Sequence, residues 1–76
     1  MKRITFEQSC LKDIEDEYAR ARKKFPDFNS AHEGYAVILE ELDEAWDEIK
    51  ANDLTAARKE MVQVGAMALR FLIDTE

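Results

Sequence analysis

Residues 61–73 read MVQVGAMALRFLI, and ten of the thirteen are apolar. At about 100° per residue these side chains point all round a helix instead of along one stripe. A helix apolar on every side is normally buried on every side. The run is too short for the ~20 residues that cross a bilayer. Extended to Leu54 upstream and Asp74 downstream, it is predicted as one long helix. Three short helices surround one of their number poorly. The expectation is therefore that this helix packs against another subunit, with Gly65 permitting close helix approach.

Upstream, Asn52 or Asp53 ends one element and caps the next. Residues 31–50 form the second predicted helix, opened by Ser30 and Glu33 at capping-box spacing. Tyr35, Ile38, Leu42, Ala45 and Ile49 recur by threes and fours, and Leu39 and Trp46 widen the stripe. Tyr35 and Trp46 are accordingly assigned to the core, with stacking on a base as the alternative. The first predicted helix spans Phe6 to Lys24, with Thr5 and Gln8 as its capping box. Phe6, Cys10, Leu11, Ile14, Tyr18, Ala21 and Phe25 make its stripe. Arg20, Arg22, Lys23 and Lys24 suit its C-terminal dipole and read as a solvated end. Pro26 stops it, and PDFNS is the loop. Cys10 reads as a small buried hydrophobe, Met61 and Met67 as core filler, and His32 as a surface or capping residue.

Composition agrees with an all-α reading. The 76 residues hold three Gly plus Pro, against about nine in an average chain of this length. The single cysteine excludes an internal disulfide. Seventeen acidic residues against eleven basic give a net charge of −6, which argues against nucleic-acid or anionic-membrane binding. The N-terminal MKRITFEQSCLKDIEDE has no apolar signal-peptide core, so the expected location is the cytoplasm. There is no repeat or low-complexity segment, and residues 1–76 read as a single domain. A core this small is marginal alone. The fold expected is a three-helix antiparallel hairpin-type protomer that completes a helical bundle as a dimer or tetramer.

Two groups of carboxylates resist a purely structural reading. On the second helix Glu41, Glu44 and Glu48 share one flank, and Glu41 and Glu44 are i, i+3 neighbours. The ordinary reading of EELDEAWDE is a solvated acidic face. Glu60 and Gln63, again i, i+3, lie on the most apolar helix in a stripe with Ala56, Met67 and Arg70. A carboxylate there is costly to desolvate unless paired or metal-bound. Arg58, Lys59 and Arg70 are its candidate partners, and a buried salt bridge is the expected role of Arg70. Acid pairs on facing helices also suit Mg2+, which prefers oxygen ligands and completes its shell with water and phosphate.

EELDE followed by EMVQ on an apolar helix resembles the MazG-like all-α nucleotide pyrophosphohydrolases. These carry an EExxE stretch and then ExxD on two antiparallel helices. The run HEGYAVILEELDEAWDEI, then KEMVQVGAMALRF, also resembles short phage or Gram-positive members. The resemblance covers roughly residues 31–75; the first helix matches only as an amphipathic helix. It implies a Mg2+ site, with Mn2+ as the alternative ion, built from Glu41, Glu44, Glu60 and Gln63. It also implies cleavage of nucleoside triphosphates between the α and β phosphates. Arg70 and Lys59 are then candidate phosphate contacts. One position departs from the pattern: the last family ligand is Asp, and here it is Gln63. A neutral amide offers an oxygen but no charge, which weakens metal binding and Lewis-acid activation. Either three acids plus Gln63 suffice, or Glu48 substitutes, or the chain is a catalytically inactive helical-bundle interaction protein of the same descent.

Overall fold

The computed structural model describes residues 4–76, folded as α1 (Phe6–Lys24), α2 (Ala31–Lys50) and α3 (Leu54–Asp74). Capping chemistry sets these bounds. Thr5 Oγ1 accepts from the Gln8 N–H at 3.0 Å, and Gln8 Oε1 accepts from the Thr5 N–H at 2.9 Å, closing both halves of the expected box. At α2 only half of the box forms. Ser30 Oγ accepts from the Glu33 N–H at 3.1 Å. The Glu33 carboxylate turns instead to Asn29, whose N–H and Nδ2 offer it two donors at 3.2 and 3.0 Å. Asp53 caps α3 by accepting from the Ala56 N–H at 3.0 Å.

The α2–α3 turn places Asn52 at φ 58°, in the left-handed region. The Asn52 N–H donates to the Ile49 carbonyl and the Asp53 N–H to the Glu48 carbonyl, each at 3.0 Å. This is the Schellman pattern, in which glycine is the usual residue at the left-handed position. Asn pays less than other side chains there, but still more than glycine. Replacing Asn52 by Gly is expected to raise stability by about 0.5 kcal/mol net of the added unfolded-chain entropy, seen as a rise in Tm of about 2–4 °C. A fall in Tm would contradict this account of the turn.

Helix α3 is the centre of a flat molecule, 40 × 36 × 19 Å, with α1 and α2 each packed on α3 and not on one another. Ala21, Phe28, Ala66 and Met67 form the core, with Tyr18, Val37, Ile38 and Phe71 around them. Two glycines permit the close approaches. A Cβ at Gly34 would stand 2.7 Å from Phe71 Cδ2, and one at Gly65 would stand 3.0 Å from Ile14 Cδ1. The close approach expected at Gly65 is thus made by α1 of the same chain.

Several residues assigned to the core lie outside it. Tyr35 and Trp46 are 56% and 55% exposed, and Met61, Phe6, Leu11 and Phe25 are also exposed. The cause is geometric. Only the strip of α2 through Gly34, Val37, Ile38, Glu41 and Ala45 faces α3, and Tyr35 and Trp46 lie roughly 110° round the helix from it. Helix α3, expected to be enclosed by another subunit, is covered on two flanks by α1 and α2. It keeps Leu54, Met61 and Leu72 exposed.

The C-terminal end of α1 is not simply solvated. Arg22 Nη2 donates to Asp74 Oδ1 at 2.5 Å, its Nη1 to Asp27 Oδ1 at 2.9 Å and its Nε to the Tyr18 hydroxyl at 3.0 Å. Asp74, with its side chain only 2% exposed, also accepts from the Phe28 N–H at 3.0 Å. The Arg22 hydrogen bond, aided by the Phe28 N–H, holds the Asp74 carboxyl below the usual carboxylate range. One carboxylate therefore ties α1, the loop and α3 together.

Candidate metal centre and the adjoining pocket

Glu41 and Glu44 stand one turn apart on α2, and Glu60 stands on α3. Each offers a carboxylate oxygen, and the three oxygens lie within 4.8 Å of one another. Glu41 and Glu60 are half-buried and Glu44 is exposed. The i, i+3 spacing brings the first two onto one flank, and the α2–α3 packing brings the third to them. Among the described residues, no Lys, Arg or His makes an ion pair with any of the three. Burial, then the Glu44 charge and contact with Glu60, push the Glu41 carboxyl up to about 7. Contact with the Glu60 carboxyl, then loss of some hydration beside it, raises that of Glu44. Carboxylates this close repel when all are ionised, and a divalent cation among them removes that repulsion. The donors are all oxygens, which suits a hard ion such as Mg2+ or Mn2+.

The expected partners of Glu60 are engaged elsewhere. The Arg58 guanidinium lies over the Phe6 ring, 5.4 Å from its centroid. Lys59 lines a cleft with Asp13, Asp16, Glu17 and Arg20 on the α1 side. Arg70 is 3% exposed and, among the described residues, makes no ion pair. Its Nη2 donates to the Pro26 carbonyl at 2.8 Å, its Nη1 to Met67 Sδ at 3.3 Å, and its guanidinium lies 4.2 Å from the Phe28 centroid. Its Nε has no partner. The salt bridge expected of Arg70 does not form, because the nearby carboxylate whose titration feels its charge, Asp74, is bonded to Arg22.

A pocket of about 240 Å³ opens between α1 and α2 over α3, and it joins three residues of interest: Glu41, Gln63 and Arg70. Its remaining wall includes Phe25, Phe28, Val37 and Met67, with Glu17 and Glu33 at the polar side. An engineered cavity of about 150 Å³ holds benzene, so a flat heterocycle fits this volume. Gln63 lines both this pocket and the Lys59 cleft. Glu48 is not in the carboxylate triad. Sequence reasoning missed the part played by Pro26 and Phe28. An aromatic residue inside an otherwise polar five-residue loop was the available signal. The chain matches no protein-family model, no curated protein and no solved structure.

Proposed function

We propose that this chain is a Mg2+-dependent nucleoside triphosphate pyrophosphohydrolase, cleaving NTP or dNTP to the monophosphate and pyrophosphate. The observation that carries the reading is the convergence of Glu41, Glu44 and Glu60 from two helices, within 4.8 Å and, among the described residues, with no Lys, Arg or His in an ion pair with them. The resemblance of EELDE and EMVQ to the MazG-like enzymes supports the same reaction. A bound Mg2+, or Mn2+ in its place, would supply charge neutralisation and Lewis-acid polarisation for the triphosphate. Glu41, Glu44 and Glu60 would hold it, and Gln63 would add a neutral oxygen from the next turn of α3. The pocket beside Glu41 would take the nucleoside, with Phe25 and Phe28 supplying aromatic surface. A water oriented by a carboxylate would attack the α phosphorus and pass its proton to that carboxylate, as the α–β phosphoanhydride bond breaks and pyrophosphate leaves. Positioning and electrostatics would supply most of the rate. Arg70, held by Pro26 and Phe28, would lend the pocket positive charge. Lys59 stands on the α1 side and is the weaker phosphate contact of the two.

A second reading keeps the fold and drops the chemistry: a catalytically inactive MazG-like helical-bundle interaction protein. Gln63 in place of a charged ligand favours it. Incubation with a panel of nucleoside and deoxynucleoside triphosphates plus Mg2+ or Mn2+, scored for pyrophosphate release, separates the two. The expected result is metal-dependent release together with a metal-induced rise in Tm. Absence of both would sink the enzymatic reading.

A further inference from the structure

Arg70 is 3% exposed, and its Nε is the one buried side-chain nitrogen or oxygen, among the described residues, that has no hydrogen-bond partner. The other two guanidinium nitrogens are committed, Nη2 to the Pro26 carbonyl and Nη1 to Met67 Sδ. A guanidinium carries only donors and keeps its charge at any working pH. An N–H of such a group, sealed from water and facing no acceptor, forfeits a charge-assisted hydrogen bond. Arg70 lines the pocket of about 240 Å³ between α1 and α2, so the missing acceptor has a place from which to come.

The other walls decide which acceptor fits. Glu17, Glu33 and Glu41 line the same pocket. Three carboxyl groups against one guanidinium disfavour an anionic ligand there and favour a neutral one. Phe25 and Phe28 offer aromatic surface to a flat ring. Gln63 offers an amide, which holds a donor and an acceptor side by side. A neutral flat ring with a carbonyl next to a ring N–H meets all of these conditions. We propose that the pocket selects nucleobases with that lactam edge, as in uracil, thymine, hypoxanthine and guanine, and that Arg70 is the residue that selects them. The base carbonyl accepts from the Arg70 Nε–H, and the ring N–H donates to Gln63 Oε1. Adenine and cytosine carry an amino group at the position of that carbonyl. It sets donor against donor and leaves Nε unpaired, and a site built around a buried polar group discriminates strongly for that reason. Nε is closed to water in the free protein, so the base reaches it as Met67 moves aside. Met67 lines the same pocket, and its unbranched side chain yields easily. The role of Arg70 as a phosphate contact gives way to one at the base. The inference rests on the nucleoside placement proposed above, but not on the chemistry.

Inosine and adenosine differ only in this edge, and so do uridine and cytidine. Each nucleoside is titrated into the metal-free protein, with NMR of the arginine Nε–H groups and the Met67 methyl as the readout. The keto member of each pair is expected to bind at least about tenfold tighter, the worth of one charge-assisted hydrogen bond. It should also shift the Arg70 Nε–H and Met67 methyl signals. Arg70→Lys keeps the charge but removes that N–H, and should bring the members of each pair within about twofold of one another. If Arg70→Lys fails to fold, the wild-type Nε–H shift decides. Equal affinities within each pair would overturn the proposal, as would no binding of inosine or uridine, or a preference that survives Arg70→Lys. So would an Nε–H signal that inosine leaves in place and inorganic pyrophosphate moves. Failure of the catalytic reading looks different. Keto-selective binding without pyrophosphate release from any triphosphate would uphold this proposal and sink that reading. Release with equal kcat/KM from ITP and ATP, and from UTP and CTP, would do the reverse.

Discussion

Replacing Asp74 by Ala is expected to destabilise the fold by about 2 kcal/mol, the loss of a partly buried, charge-assisted hydrogen bond to Arg22 and of the Phe28 amide's acceptor. That is a large share of the ~5 kcal/mol available to so small a domain. The Asp74 side chain is 2% exposed and serves two donors, Arg22 Nη2 and the Phe28 N–H. Its loss leaves the Phe28 amide without its partner and frees the loop whose Pro26 carbonyl holds Arg70. The effect depends on pH with a definite sign. The folded carboxyl titrates below its ordinary value, so its stabilisation is present above the unfolded carboxylate pKa of about 3.9. It is lost as pH falls through the lower folded value. Denaturant unfolding at fixed protein concentration, at pH 7 and near pH 3, should show a wide gap between wild type and Asp74→Ala at the first and a narrower one at the second. An equal gap at both pH values would show that Asp74 acts by packing and not by charge.

How much of this was legible follows from the range of each interaction. The helix ends were readable because caps are local: Thr5 with Gln8, and Asp53 with Ala56, are three residues apart. The i, i+3 spacing of Glu41 and Glu44 put two of the three carboxylates on one flank, but it was the resemblance to the EExxE and ExxD pattern that singled out Glu60 as the third. Periodicity identified the apolar face of α2 but not its partner. Tyr35 and Trp46 were therefore placed in a core that the α3-facing strip alone occupies. The Arg22–Asp74 pair spans 52 residues, and its existence depends on the path of the PDFNS loop. Arg70 is satisfied by a backbone carbonyl, a sulfur and a ring. Hydrophobic patterning says nothing about a backbone carbonyl as a partner, so the sequence pointed to a carboxylate instead.

Glu60→Gln should separate a metal ligand from a structural carboxylate, because the two roles move stability in opposite directions. The Glu41 carboxyl is pushed up to about 7 in the folded chain, chiefly by burial and by its acidic neighbours. A group whose folded pKa is raised contributes stability that is complete below its unfolded value and is lost as pH rises through the folded one. Metal-free wild type should therefore be less stable at pH 8 than at pH 5. The difference attributable to this carboxyl is about 1 kcal/mol once solvent screening of the half-exposed site is allowed for. Gln at position 60 removes one negative neighbour. It should raise metal-free stability at pH 8 and flatten the pH dependence, since among the described residues no basic side chain pairs with Glu60. Mg2+ should raise the Tm of wild type at pH 8 and raise that of Glu60→Gln far less. If the chain is the pyrophosphohydrolase proposed above, release of pyrophosphate should fall on the order of 100-fold or more, as when a charge-stabilising group is lost from a transition-state site. A structural carboxylate predicts the reverse: Glu60→Gln would be less stable at pH 8, its response to Mg2+ would match wild type, and any turnover would be retained.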